Sequence, residues 1–147
     1  VKPDTKQYVD RLLISAGLRR TKQRIAVLSA LLAARSPLTQ DQITARLGSN
    51  APNKVTIYRM LETLLKAGLV HKAFLQERTW HFELSDNCSH NQCHPHFICT
   101  KCGDTHCLLD VTLPMAKSPR KGFVINHQQV RLEGLCPECS KHVKKVS

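Results

Sequence analysis

Apolar residues recur at helical spacing through the first half of the chain and alternate with polar ones after it. Tyr8, Val9, Leu12 and Leu13 predict a helix from about Lys6 to Ala16, which Gly17 can end. A second is predicted from Thr21, a good N-cap, to about Ala34, with Ile25, Leu28, Leu31 and Leu32 facing inward. Thr39 followed by Gln42 makes a capping box for a third, in which Ile43 and Leu47 are buried and Gly48 is the stop. A fourth starts near Asn53 and carries Val55, Tyr58, Leu61, Leu64 and Leu65 as far as Gly68. Two alternating runs, residues 69–74 and 79–84, flank the polar Gln76, Glu77 and Arg78 and predict a β-hairpin. Helices followed by a hairpin are the order of a winged helix-turn-helix, whose last helix enters the major groove of DNA.

Charge sharpens that reading. The chain has 147 residues and a formal net charge of +11. Thirteen Lys and Arg against four Asp and Glu lie within the first 75 residues, so this half carries nearly all the excess and is suited to phosphate. On the fourth helix Lys54, Thr56 and Arg59 surround Tyr58, side chains able to reach phosphates, guanine edges or a thymine methyl. Tyr58 also lies on the predicted apolar stripe, so a core role competes. Arg19, Arg20, Lys22 and Arg24 form a second basic cluster suited to the DNA backbone or minor groove.

Composition changes sharply after the hairpin. All seven cysteines lie from Cys88 to Cys139, and six of the eight histidines from His81 to His127. No apolar run approaches the ~20 residues of a membrane span, and no secretory pattern opens the sequence, so a cytoplasmic location is expected. In that reducing compartment such a cluster points to metal rather than to disulfides. Cys99 and Cys102 make one Cys-x-x-Cys pair with Gly103 behind it; Cys136 and Cys139 make another around Pro137. Four thiolates close a tetrahedral zinc site with no open position, which is a structural role. Between hairpin and first knuckle, residues 88–96 are dense in Cys and His, and His94 and His96 on an extended segment point to one side, which predicts a second metal site. Strands are expected at 97–99, 105–109 and 130–135, with a short helix around 113–121.

Five segments together resemble the ferric uptake regulator family across nearly the whole chain: Thr21-Lys22-Gln23-Arg24; Thr56-Ile57-Tyr58-Arg59 with Leu61; Ala67-Gly68-Leu69-Val70; the run from His94 to Gly103; and the run from Gly134 to Cys139. The resemblance implies an α+β protein, with a winged helix-turn-helix over residues 1–84, a hinge and regulatory metal segment at 85–96, and a small α/β dimerisation domain with the four-cysteine zinc at 97–147. It implies a homodimeric, metal-responsive repressor on palindromic operators in double-stranded DNA, with Arg19, Lys22, Lys54, Thr56, Tyr58 and Arg59 as DNA contacts. Iron and peroxide sensors of the family carry a histidine just before the third helix, where this chain has Pro37. Zinc uptake regulators are matched by His71 and by the spacing of Cys88 before His94 and His96, so His71, Cys88, His94 and His96 are the expected regulatory ligands and zinc the expected metal. Glu83 matches a ligand of the iron sensors and keeps ferrous iron as the alternative. Cys107 stands where the family often has a carboxylate ligand, and Cys93 and His127 are candidates for a third site. Pro114 and Pro119 depart from the longer helix of family members.

Two rival classes are weaker. His81-Phe82-Glu83 with a later Cys-x-x-Cys is similar to zinc deaminases, but neither pair follows a proline and His81 alternates within a predicted strand. A zinc-stapled protein-interaction module without DNA binding leaves the basic half unexplained. No nucleophile–base pair or phosphate-cradling loop appears, so neither catalysis nor a small-molecule substrate is expected.

Overall fold

The computed structural model describes residues 3–34, 36–85, 94–117 and 120–143. The chain divides into two compact units, Val1–Asp86 and Asn87–Ser147. The first holds α1 (Pro3–Ser15), α2 (Lys22–Ala33), β1 (Leu38–Thr39), α3 (Gln40–Leu47), α4 (Lys54–Lys66), β2 (Val70–Gln76) and β3 (Thr79–Leu84). The second holds β4 (His96–Cys99), β5 (Thr105–Cys107), β6 (Arg131–Gly134) and α5 (Pro137–Ser140).

Local chemistry sets the helix starts of the first unit. The Thr21 hydroxyl accepts from the Arg24 N–H at 3.2 Å, and Asn53 Oδ1 accepts from the Thr56 N–H at 2.9 Å. At α3 the capping box is complete, because Thr39 Oγ1 accepts from the Gln42 N–H while Gln42 Oε1 accepts from the Thr39 N–H. Gly48, at φ +70°, ends α3 in a conformation that costs glycine little. Gln40 Nε2 donates to the Lys54 carbonyl at 2.8 Å, a bond that ties the start of α3 to the start of α4. Val9 and Leu13, Val27, Leu28 and Leu31, Ile43, and Ile57, Leu61 and Leu64 pack into one core with Leu38, Val70, Phe82 and Leu84 of the sheet.

The phase of α4 differs from expectation. Its buried residues are Ile57, Met60, Leu61 and Leu64, an i, i+3, i+4, i+7 stripe, whereas Val55 and Tyr58 are 57% and 54% exposed. Tyr58 is therefore not a core aromatic; two apolar-bodied residues sit on the solvent face and shift the apparent periodicity by a fraction of a turn. In α2, Val27 is buried and Ile25 and Leu32 are only partly so.

The hairpin has a tighter turn than the polar triplet suggests. Gln76 pairs with Thr79, which leaves Glu77 and Arg78 as a two-residue turn with φ of 48° and 63°. Positive φ at both central positions suits the twist of a hairpin but is uncommon for side-chain-bearing residues. A third strand went unpredicted: β1 pairs antiparallel with β3, placing Leu38 opposite Phe82, so the sheet order is β1-β3-β2.

In the second unit β4 is central, antiparallel to β5 and parallel to β6. The predicted helix around 113–121 is absent among its described residues. Pro114 has no N–H, and the Gln128 side chain takes up the local backbone groups: its Nε2 donates to the Pro114 carbonyl at 3.0 Å and its Oε1 accepts from the Ala116 N–H. No described helix is long and apolar enough to cross a membrane.

The phase of α4 makes a direct prediction. Ile57→Ala should cost about 2–5 kcal/mol in denaturant unfolding of the first unit, whereas Val55→Ala should stay within about 0.5 kcal/mol. Similar losses from both variants would contradict the assigned face.

Candidate metal centres and nucleic-acid interface

Cys99 ends β4, Cys102 lies in the tight turn that follows, Cys136 caps α5 and Cys139 lies within it. Their four sulfur atoms all lie within 4.8 Å of one another. Gly103, at φ +79°, donates its N–H to the Cys99 carbonyl at 2.9 Å and closes the first knuckle; Pro137 opens α5 and shapes the second. Cys102 Sγ and Cys136 Sγ are 3.8 Å apart, about the edge of a tetrahedron built on ~2.3 Å zinc–sulfur bonds. Sulfur also accepts backbone hydrogen bonds, from Cys136 N–H to Cys99 Sγ at 3.4 Å and from Cys139 N–H to Cys136 Sγ at 3.5 Å. Such donors stabilise thiolate charge, and the set fits zinc in number, spacing and chemistry.

The thiols are not electrostatically alike. Backbone N–H groups of Cys102 and Cys136 lower the Cys99 pKa to about 6, so this sulfur is charged at neutral pH. The neighbouring Cys136 sulfur, and then burial, raise Cys139 to about 12.

A second group lies where β4 starts and β5 ends. His94, His96 and Cys107 each offer a donor atom, all within 4.8 Å of one another. His96 is directly opposite Cys107 in the antiparallel register, and the His94 and His96 rings are 4.7 Å apart. Strand alternation turns the next pair away: Phe97 is opposite His106, and their rings meet at 6.3 Å. Burial is complete at His96 and partial at His94 and Cys107. Among the described residues His127 is exposed and joins no such group. Cys88 and Cys93 lie outside the described residues.

Two other expected ligands meet within the first unit. His71 of β2 faces Glu83 of β3 across the hairpin, with Nε2 and Oε1 2.8 Å apart. Glu83 is buried and His71 largely so. His81, the histidine of the deaminase-like triplet, instead stacks on Phe74 at 4.5 Å.

The exposed side of α4 presents Lys54, Tyr58 and Arg59 to solvent, with Thr56 half-buried beside its cap. Glu62, one turn on, favours the protonated phenol and raises the Tyr58 pKa above its ordinary value. Lys54 reaches Asp41 at 3.4 Å, a pair so exposed that it contributes little and can yield to a phosphate. Arg24 donates to the Arg19 carbonyl at 2.9 Å and leaves the exposed Arg19 and Lys22 at the start of α2. A cleft of about 260 Å³ between α4 and the hairpin places Tyr58 near Lys72, Arg78 and Trp80. Lys72 Nζ lies over the Trp80 ring, 4.9 Å from its centroid. Sequence reasoning missed this cleft, because Lys72 and Trp80 on paired strands and Arg78 in the turn give no signal until the register is known.

Comparison with known proteins finds relatives in sequence and in fold. The model of the ferric uptake regulator family matches residues 15–133. The peroxide-responsive repressor PerR of Staphylococcus epidermidis is 32% identical over 137 residues, spanning 88% of this chain and 86% of that protein. The transcriptional regulator FurA of Mycobacterium tuberculosis is 31% identical over 139 residues and 90% of each chain. Among solved structures, a zinc uptake regulator complexed with zinc and DNA superposes with a TM-score of 0.64 at 23% identity, covering 94% of both chains.

Two outcomes follow for the tetrad. Cys99→Ser should release zinc and unfold the second unit, since metal binding at structural sites supplies on the order of 10 kcal/mol of folding free energy; unchanged zinc content by metal analysis would count against it. Because zinc must displace the proton that Cys139 retains, zinc affinity should rise with pH above neutrality, measured by competition with a chelator at fixed ionic strength.

Proposed function

Since this chain belongs to the ferric uptake regulator family of metal-responsive transcriptional regulators, we propose that it is a zinc-responsive repressor that binds palindromic operators in duplex DNA as a homodimer. The observation that carries the choice of zinc is the gathering of two imidazoles and a thiol, His94, His96 and Cys107, where β4 starts and β5 ends. Nitrogen and sulfur donors favour zinc, whereas oxygen-rich sets favour iron and manganese. The matching zinc uptake regulator was solved with zinc and DNA together, which supports the same pairing here.

Each step has a residue. Tyr58 and Arg59 on the exposed side of α4 read base edges, and Lys54, Thr56, Arg19 and Lys22 hold the backbone. The four cysteines keep a structural zinc. A regulatory zinc is held by His94 and His96 with a thiolate, Cys88 or Cys107, while His71 and Glu83 are the other candidate ligands, and the metal favours the DNA-binding state. Only a difference in affinity between states can shift their populations; a 100-fold preference corresponds to about 2.7 kcal/mol. Zinc therefore tightens operator binding, and operator DNA tightens zinc by the same factor. Leu109, Phe123 and Val124 in the second unit are 61%, 58% and 81% exposed, apolar side chains that a second copy could bury.

Glu83 favours a second reading, in which a buried carboxylate makes ferrous iron the regulatory metal. Operator binding at buffered free zinc and free ferrous iron separates the two. Zinc should activate at the lower free concentration; activation by iron where zinc is silent refutes the zinc assignment.

Arg59→Ala should weaken operator binding by about 1–3 kcal/mol and relax base preference, with zinc content and dimerisation unchanged. Lys22→Ala should weaken specific and random DNA alike and lower the salt slope by about one. Equal binding by wild type and Arg59→Ala, measured by fluorescence anisotropy, would show that α4 is not the reader.

A further inference from the structure

One face of the hairpin runs past the end of the core. Val70 opposite Leu84 and Lys72 opposite Phe82 share that face with Trp80, because side chains two apart on a strand point the same way. Val70, Leu84 and Phe82 are buried in the core of the first unit, whereas Trp80 is 38% exposed. On α4 the facing stripe is Tyr58, Leu61, Glu62 and Leu65, at i, i+3, i+4 and i+7. Stripe and strands do not close on each other at this end, and the cleft of about 260 Å³ lies between them.

We infer that this cleft binds a small aromatic carboxylate carrying a ring hydroxyl, and that the bound acid competes with DNA. The competition rests on the reading of α4 given above; the binding site does not.

Size limits the ligand first. Pockets for drug-sized molecules span roughly 300–1,000 Å³, so a cleft of about 260 Å³ admits one ring with its substituents and little more. The buried Leu61 and Phe82 offer apolar surface, and Tyr58 and Trp80 add exposed rings on which an aromatic ring can pack offset or edge-on. An aliphatic acid of the same size forfeits those ring contacts.

Charge then decides the class. Lys72 and Arg78, both of the hairpin, are the cations of the lining, and Glu62 on α4 is its one acid. The balance favours an anion, and hydrogen bonds to an ionised group are roughly twice as strong as neutral ones. Lys72 Nζ is 4.9 Å from the centroid of the Trp80 ring, so a ligand packed near the indole meets an ammonium group beside it. Arg78 can hold a carboxylate through two parallel N–H donors. Glu62 repels an acid on the α4 side and accepts from a hydroxyl there. The carboxylate is therefore directed to the hairpin and the hydroxyl to the helix.

Trp80 is the chain's single tryptophan, so its fluorescence reports on the cleft without a label. The full-length, zinc-loaded protein is titrated with 4-hydroxybenzoate, whose para arrangement avoids chelating the metal, and zinc content is checked before and after. A saturable change in Trp80 emission is expected, with a Kd on the order of 0.1 mM for a ligand of about ten non-hydrogen atoms. 4-Hydroxybenzamide, which lacks the charge, and acetate, which lacks the ring, should each bind about 10-fold more weakly or worse. Lys72→Gln and Arg78→Gln should each raise the Kd by about 10-fold, with circular dichroism showing that both have folded. No saturable change in the wild type, equal binding of the amide or of acetate, or an unaltered Kd in both variants overturns the site.

Anisotropy of labelled operator tests the competition separately. 4-Hydroxybenzoate at about ten times its Kd should weaken operator binding by about 10-fold. An acid that binds and leaves operator affinity unchanged removes the competition and counts against α4 as the reader, with the binding site standing. No operator binding by the unliganded protein, with the titration intact, refutes the proposed function alone.

Discussion

The second unit depends on the convergence of four sulfur atoms more than on any apolar contact. Its wholly buried side chains are few among the described residues: Pro95, His96, Ile98, Cys99 and Cys136, two of them members of the tetrad. So small a core cannot by itself offset the conformational entropy of ordering three strands and their long connections. A cation shared by Cys99, Cys102, Cys136 and Cys139 would tie the end of β4 to the start of α5, and through β4 it would fix the neighbours on both sides. The parallel β4–β6 pairing, which no tight turn can impose, would be aligned by the same tie.

The first unit is stabilised differently. There a continuous apolar core joins four helices to a three-stranded sheet, and side-chain caps on three of the helices settle where each begins. That leaves the outward side of α4 free of structural duty. Its exposed Tyr58 shares a cleft with Lys72 and Arg78 of the hairpin. The division of charge along the chain thus has a spatial counterpart: the basic residues belong to the unit that needs no metal for its core.

How much of this could be read in advance varied with the physics involved. Caps were legible because Thr21, Thr39, Gln42 and Asn53 act on backbone groups only a few residues away. The two Cys-x-x-Cys knuckles were legible for a related reason, as each is a local turn with a fixed chemistry. The stripe of α4 was misjudged because Val55 and Tyr58, apolar by composition, are on the surface, and periodicity cannot tell an exposed apolar residue from a buried one. β1 escaped notice because two residues are too few to alternate. The helix near 113–121 failed for a nonlocal reason, since Gln128, twelve residues beyond Ala116, takes its backbone partners. The grouping of Cys107 with His94 and His96 needs the pairing of two strands, which spacing along the chain does not reveal.

β4 is four residues long, yet His96 at its start belongs to one donor group and Cys99 at its end to the other. Successive side chains on a strand point to opposite faces, so inserting or deleting one residue between these two positions would turn one donor group away while the other kept its aim. The three-residue step from His96 to Cys99 is therefore closed to length variation, whereas the connection from residue 108 to 130 can lengthen or shorten without changing the direction of either ligand. Among relatives that keep both centres, length differences should accumulate in that connection and be missing from the strand.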